Sequence, residues 1–297
     1  MKDLNQSMQK ILYQVSQWLI FQKKKFMNTP TKMTYLILKT QQIKITILGC
    51  GSSTGVPRVG NEWGSCDPKI PQNRRTRCSL LIEKYNGDKK TTIVIDTGPD
   101  FRNQMNHANI SRVDAVFYTH EHADHTHGID DLRMYALRDK SRIDVYASSS
   151  TSKNLHDKFG YCFNSKINSP YPPILNMNII NHAQTYEINW EGGIIKITPF
   201  NQVHGSITSF GYKVNNIAYS SDINDVPPES IQFIENTDIW IVDALRWIEH
   251  PTHFHVDKAL KLIKDFKVKK GILTNMHIDL DYKELNEYLP NNVIPAY

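Results

Sequence analysis

Apolar and polar positions alternate over Ile43-Lys44-Ile45-Thr46-Ile47, which predicts a first strand with one buried face. Residues 49–60 are rich in glycine and serine, carry Pro57 and Arg58, and read as a loop. Residues 78–83 and 92–96 read as two strands joined through the turn-prone Asn86-Gly87-Asp88. The apolar, β-branched run Val113-Asp114-Ala115-Val116-Phe117-Tyr118 predicts a buried strand, and residues 126–137 suit a helix after it. A short strand over 143–146, a helix over 151–159 and a proline-rich loop over 168–173 follow. Strands are expected over 194–198, 210–214 and 217–219, with Asn215-Asn216 closing a hairpin between the last two. A helix over 229–235, a buried strand over 239–242, an amphipathic helix over 256–266, a last strand over 271–274 and a short helix over 282–288 complete the chain. A two-sheet core with helices outside accommodates this order. Residues 1–41 read as a poorly ordered extension and 42–297 as one domain.

Composition narrows the picture modestly. With 297 residues and 40% hydrophobic positions the chain can bury a sizeable core, and 22% charged residues fit a soluble globular protein. The formal net charge of +5 favours anionic substrates without pointing to nucleic acid. The basic clusters are Asn73-Arg74-Arg75-Thr76-Arg77 and Lys267-Val268-Lys269-Lys270, the second read as a solvated face. Cys50, Cys66, Cys78 and Cys162 form no C-x-x-C pair and suggest no disulfide framework, so a reducing, cytoplasmic setting is expected. The apolar stretch at 11–21 is interrupted by Gln14, Ser16 and Gln17 and is too short to span a bilayer. Lys23-Lys24-Lys25 follows it rather than precedes it, against a secretory signal.

The chemistry concentrates in Thr119-His120-Glu121-His122-Ala123-Asp124-His125. Three imidazoles and an acid in one turn are too many metal-ligand groups for a packing role. At the carboxyl end of a buried strand they can be aimed at a shared point. His120 and His122 alternate with Glu121 and can face one side, and Asp124 and His125 turn toward a neighbouring point. His204, Asp222 and His277 each follow an expected strand further on. Any one of them alone would suit a structural role.

The pattern H-x-H-x-D-H resembles the metallo-β-lactamase superfamily, and the order of the later ligands fits it. The resemblance implies an α/β (α+β) fold, the αββα sandwich, with a metal site on one edge between the sheets. It implies two divalent cations per chain, Zn²⁺ or Mn²⁺, with a hydroxide between them as nucleophile. His120, His122 and His204 would hold one cation, Asp124, His125 and His277 the other, and Asp222 would bridge them. Asp96, in Ile95-Asp96-Thr97-Gly98, resembles an earlier motif and is expected to support the histidine loop.

Gly49-Cys50-Gly51-Ser52-Ser53-Thr54-Gly55-Val56-Pro57 is similar to the opening of PhnP-type phosphodiesterases. The stretches at 73–79, 125–133, 243–246, 251–254 and 273–282 fit the same group. This implies a small phosphorylated substrate, a cyclic phosphate of the phosphoribosyl 1,2-cyclic kind. His253 matches the group's catalytic histidine and is the expected general acid, with Asp124 holding metal and nucleophile geometry. Arg58, Arg74 and Arg246 are candidate phosphate-binding residues. One departure concerns an extra structural zinc that some members hold on early cysteines: Trp63-Gly64-Ser65-Cys66-Asp67 offers a single cysteine. Other readings stay open: an RNA 3′-processing nuclease, though no basic inserted arm for tRNA is visible; a glyoxalase-II-like thioesterase; and a non-enzymatic metal-binding domain. No membrane span is expected, and a homodimer is compatible with the chain.

Overall fold

A run that buries one side chain in two makes a strand with a single apolar face, and a run that is apolar throughout makes one covered on both. Both kinds occur here, in an order that repeats. The computed structural model describes residues 35–38, 43–164 and 171–297. Strand β1 (Tyr35–Leu38), β2 (Ile43–Gly49), β3 (Ser79–Asn86) and β4 (Lys89–Ile95) pair antiparallel in succession. Then β5 (Ala115–Phe117), β6 (Ile143–Ala147) and β7 (Leu175–Ile179) add in parallel. The second half does the same. Strands β8 (Tyr186–Trp190), β9 (Gly193–His204), β10 (Ile207–Val214) and β11 (Ile217–Ser220) pair antiparallel. Strands β12 (Ile239–Asp243), β13 (Lys270–Thr274) and β14 (Val293–Pro295) follow in parallel. The result is two seven-stranded sheets, each running in chain order from one edge to the other.

The alternation expected along each strand separates two layers of core. Leu80, Ile82, Ile93, Ile95, Ala115 and Phe117 face the second sheet and pack with Phe200, Tyr212 and Ile241. Their neighbours Leu81, Val94 and Val116 face outward and meet Phe101, Met105 and Leu155 from helices at Phe101–Ala108 and Ser149–Phe163. On the other sheet, the helix at Val256–Asp265 seats Val256, Ala259 and Ile263 against the core. This is the αββα sandwich. Phe117 lies at its centre, fully buried, stacked on Tyr146 at 4.4 Å and edge-on to Tyr212 at 5.7 Å. Phe117→Ala is expected to cost about 3–5 kcal/mol of unfolding free energy, seen as a lower urea midpoint with little change in slope.

Some elements differ from the sequence reading. The single helix expected over 126–137 is broken into a turn of helix at Ala123–Thr126, a 3₁₀ turn at Ile129–Leu132 and a helix at Arg133–Asp139. The break falls at Gly128, whose N–H donates to the Thr97 carbonyl. The helix at 229–235 is a 3₁₀ turn, Pro228–Ser230, running into Ile231–Ile234. Strand β9 runs on past residue 198 through Pro199, because its neighbour β8 pairs only as far as Ile197 and leaves the proline nitrogen facing no strand. Strands β1, β7, β8 and β14 were not expected; β1 falls within the stretch read as a poorly ordered extension, and β14 lies beyond the strand read as last. Residues 168–170 of the proline-rich loop and most of the extension lie outside the described residues. The four cysteines are free and buried. Among the described residues no helix is long and apolar enough to cross a membrane.

Candidate metal centre

Parallel strands end on one side of a sheet, so the residues that follow them gather at one edge. Asp96 follows β4, Thr119 and His120 follow β5, Asp222 follows β11, Asp243 closes β12 and Asn275 follows β13. His204 ends β9 at the same edge. The tight turns need glycine: a Cβ at Gly98 would lie 2.1 Å from the Asp124 carbonyl oxygen, and one at Gly128 2.2 Å from the Gly98 carbonyl oxygen. The strand ends frame a cavity of about 460 Å³ lined by His122, Asp124, His204, Asp222, His253 and His277 among others.

His120, His122 and His204 form one donor cluster. His120 Nε2 lies 2.9 Å from His122 Nδ1, which lies 3.3 Å from His204 Nε2. The opposite ring nitrogens set the tautomers. The Thr119 hydroxyl donates to Asp96 Oδ2 at 2.8 Å, so at 3.0 Å it accepts from His120 Nδ1. His204 Nδ1 donates to the Thr252 carbonyl at 2.8 Å. Both Nε2 lone pairs are thereby turned toward His122. Burial holds the pKa of His120 well below the ordinary histidine range, with the neighbouring His125 adding to the effect.

His120, His125 and Asp222 form a second cluster beside it. His125 Nε2 lies 3.0 Å from Asp222 Oδ1 and 3.2 Å from Asp124 Oδ2. His125 Nδ1 donates to Asp96 Oδ2 at 2.7 Å, and Asp96 also accepts from the Thr119 backbone N–H at 2.8 Å. Asp96 thus ties the histidine turn to the end of β4. Burial opposes charge on His125, but Asp222, Asp124 and Asp96 outweigh it and raise its pKa well above the usual range. Burial likewise opposes charge on Asp222, and His125, His120 and His253 outweigh it and hold its carboxyl well below the usual range. His125 Nε2 and Asp222 Oδ1 are both buried and neither has a hydrogen-bond partner, although they face each other. Buried lone pairs without donors, grouped as N₃ and N₂O sets, fit divalent cations of the borderline class.

His277 lines the same cavity, with Nδ1 2.8 Å from Asp279 Oδ2 and Nε2 against the Arg58 guanidinium. It stands outside both clusters. His253 faces the cavity and its Nδ1 lies 2.7 Å from Asp243 Oδ2. Burial acts against its charge, but Asp243 prevails and the pKa is pushed up to about 9. Burial pushes Asp243 up to about 7 against the pull of His253. Arg58 and Arg246 line the cavity, Arg246 braced by the Ile248 and Glu249 carbonyls at 3.1 and 2.8 Å. Arg74 is not brought to it: its guanidinium stacks on Trp63 at 4.8 Å and borders a separate cavity of about 270 Å³. Sequence reasoning gave no role to Asp243, Thr119 or Thr252. An acid closing the apolar run of β12, as Asp222 does after β11, is the signal that could have found Asp243.

The family model of the β-lactamase superfamily domain matches residues 91–278. The chain is 31% identical over 260 residues to an octanoyltransferase from Porphyromonas gingivalis; the match takes in 86% of this chain and 50% of that protein, so the chain spans about half the length of this curated relative. A crystal structure of a diphosphatase from the PhnP family superposes with a TM-score of 0.75 at 31% identity, covering 90% of this chain and 96% of the other. The short form of human tRNase Z shares the fold at 16% identity and a TM-score of 0.56, covering 78% and 92%. By the family model over most of its length and this likeness at 31% identity, the chain belongs to the β-lactamase superfamily, in its PhnP family, and is a metal-dependent hydrolase.

Proposed function

We propose that residues 42–297 form a phosphodiesterase acting on small cyclic phosphates, loaded with two divalent cations. The observation that carries this reading is the place of His253: it faces, across one cavity of about 460 Å³, two donor clusters suited to cations. The likeness to a diphosphatase of the PhnP family supports a phosphoryl substrate. The four free, buried cysteines support a reducing, cytoplasmic setting.

In this reading His120, His122 and His204 would hold one cation, Asp124, His125 and His277 would hold the other, and Asp222 would serve both. With Asp279 at Nδ1, His277 would ligate through Nε2, which requires the Arg58 guanidinium lying against it to turn toward the substrate. When bound, the cations supply Lewis-acid charge to the phosphoryl oxygens and make the attacking water acidic enough to work near neutral pH. Asp96 and Thr119 fix the histidine rings so that their lone pairs need not reorient. Arg58 and Arg246 at the cavity rim bind non-bridging phosphoryl oxygens. His253, its ring fixed by Asp243 at Nδ1, would donate its Nε2 proton to the departing ester oxygen.

A substrate panel tests the reading. The enzyme loaded with Zn²⁺ or Mn²⁺ is offered cyclic phosphates, linear diesters, thioesters and a tRNA precursor. Cyclic phosphates are expected to turn over fastest, and a chelator to abolish the activity. Turnover of a thioester alone would overturn it.

A further inference from the structure

We propose that Arg75 is a positioning residue that seats His277 in the metal centre, by bracketing the loop after β13 to the arm that precedes β3. This deepens the assignment of His277 to the second cation and rests on it. Arg75 is only 2% exposed, yet no carboxylate touches its guanidinium. Its Nη groups donate instead to backbone carbonyls of one short loop, while Nε has no partner. Nη1 donates to the His277 carbonyl at 3.3 Å and Nη2 to the Leu280 carbonyl at 2.7 Å. Nη2 also reaches Asn73 Oδ1 at 3.2 Å. A buried cation is costly unless its hydrogen bonds are met, so a planar fork clasping both ends of the loop fixes that loop's course.

The bracket has further ties. Cys66 Sγ donates toward the Ile278 and Leu280 carbonyls at 3.3 and 3.4 Å. Asn73 Nδ2 donates to Asp281 Oδ2 at 2.6 Å, and Asn73 Oδ1 accepts from the Tyr282 N–H at 2.7 Å. Asp281 in turn caps the helix at Tyr282–Tyr288. Arg75 also pairs through its backbone with Val56, at 2.9 Å in both directions, two residues before Arg58. His277 itself has one tie to the other side of the site, its N–H on the Leu245 carbonyl at 2.9 Å. Without the fork, the loop would keep its N–H bonds to the Leu245 and Cys50 carbonyls and the Ser65 N–H on the Ile278 carbonyl, but the His277 carbonyl would lose its side-chain anchor, and the ring's side-chain contacts would be Arg58 and Asp279, which is half exposed.

The test measures each cation separately. Zn²⁺ is titrated into metal-free parent, Arg75→Met, Arg75→Lys, Asn73→Ala and His277→Ala proteins against a chromophoric chelator, with metal counted by elemental analysis. Arg75→Met is expected to weaken one site about 10–100-fold, the scale for losing a support of a metal ligand, and to leave the other unchanged. Arg75→Lys is expected to fail to rescue, because one ammonium cannot span two carbonyls in a fixed plane. Asn73→Ala keeps the guanidinium and is expected to weaken the same site less; it reads the bracket should Arg75→Met not fold. Parent affinity at both sites in the Arg75 and Asn73 variants, or equal weakening of both sites, would overturn the positioning role. Retention of two tightly held cations by His277→Ala would instead overturn the ligand assignment on which it rests.

Discussion

Asp222→Ala is expected to bind fewer than two cations per chain and to lose at least about 10²–10³ in turnover, the scale of removing one preorganised electrostatic partner from a closed site. The carboxylate sits where the two donor clusters meet. One oxygen is 3.0 Å from His125 Nε2, and the other is 3.8 Å from His204 Nε2 and 3.9 Å from His253 Nδ1. It is 4% exposed, so water cannot take its place cheaply. Removing it leaves Asp124 and Asp96 as the negative charges around His125. Asp222→Asn separates charge from shape: the amide fills the same space, and its Ser209-bound backbone carbonyl is untouched. It is expected to share most of the loss. Elemental analysis of the purified variants, with circular dichroism to confirm folding, decides the matter. Two cations per chain in both variants would remove Asp222 from the centre.

The parts of this molecule that were legible in the chain are those where one physical demand dominates. Ile43, Ile45 and Ile47 alternate because β2 has one face on the inter-sheet core, and residues 239–242 are apolar throughout because β12 lies between β11 and β13 with both faces covered. The histidine turn was legible because no packing need explains three imidazoles there. Strands at the sheet edges were not. Both β7, Leu175-Asn176-Met177-Asn178-Ile179, and β8, Tyr186-Glu187-Ile188-Asn189-Trp190, do alternate apolar and polar residues, but over five positions only, and each buries a single side chain. Strand β14 is three residues long and ends in proline, as an edge can tolerate. The helix after the histidine turn failed at Gly128 because a long-range contact, the Thr97 carbonyl, overrode local preference. The same limit applies to the site. His204 and Asp222 could be named from strand ends, but that Asp243 holds His253 depends on two loops meeting across ten residues.

His253→Ala is expected to cut turnover about 10²–10⁴-fold, the range for losing a general acid, with metal content unchanged. That corresponds to about 2.7–5.5 kcal/mol of transition-state free energy. The loss should be graded by leaving group. An alkoxide departs poorly without a proton and needs the full contribution, whereas a nitrophenolate departs unaided and should be hydrolysed almost as fast as by the parent. Asp243→Asn is expected to give a smaller loss with the same grading, since the imidazole remains but its proton is held less firmly once the partner at 2.7 Å is neutral. Unchanged turnover of a poor leaving group in His253→Ala would rule out the acid role. Metal content carries the second half of the argument. His253 also stands within reach of His204 and Asp222 as a third group of donors. If the variant lost a cation along with its activity, the ring would be a ligand rather than an acid; if it kept both and lost only the poor leaving groups, the proton on His253 would be the step the cavity is shaped around.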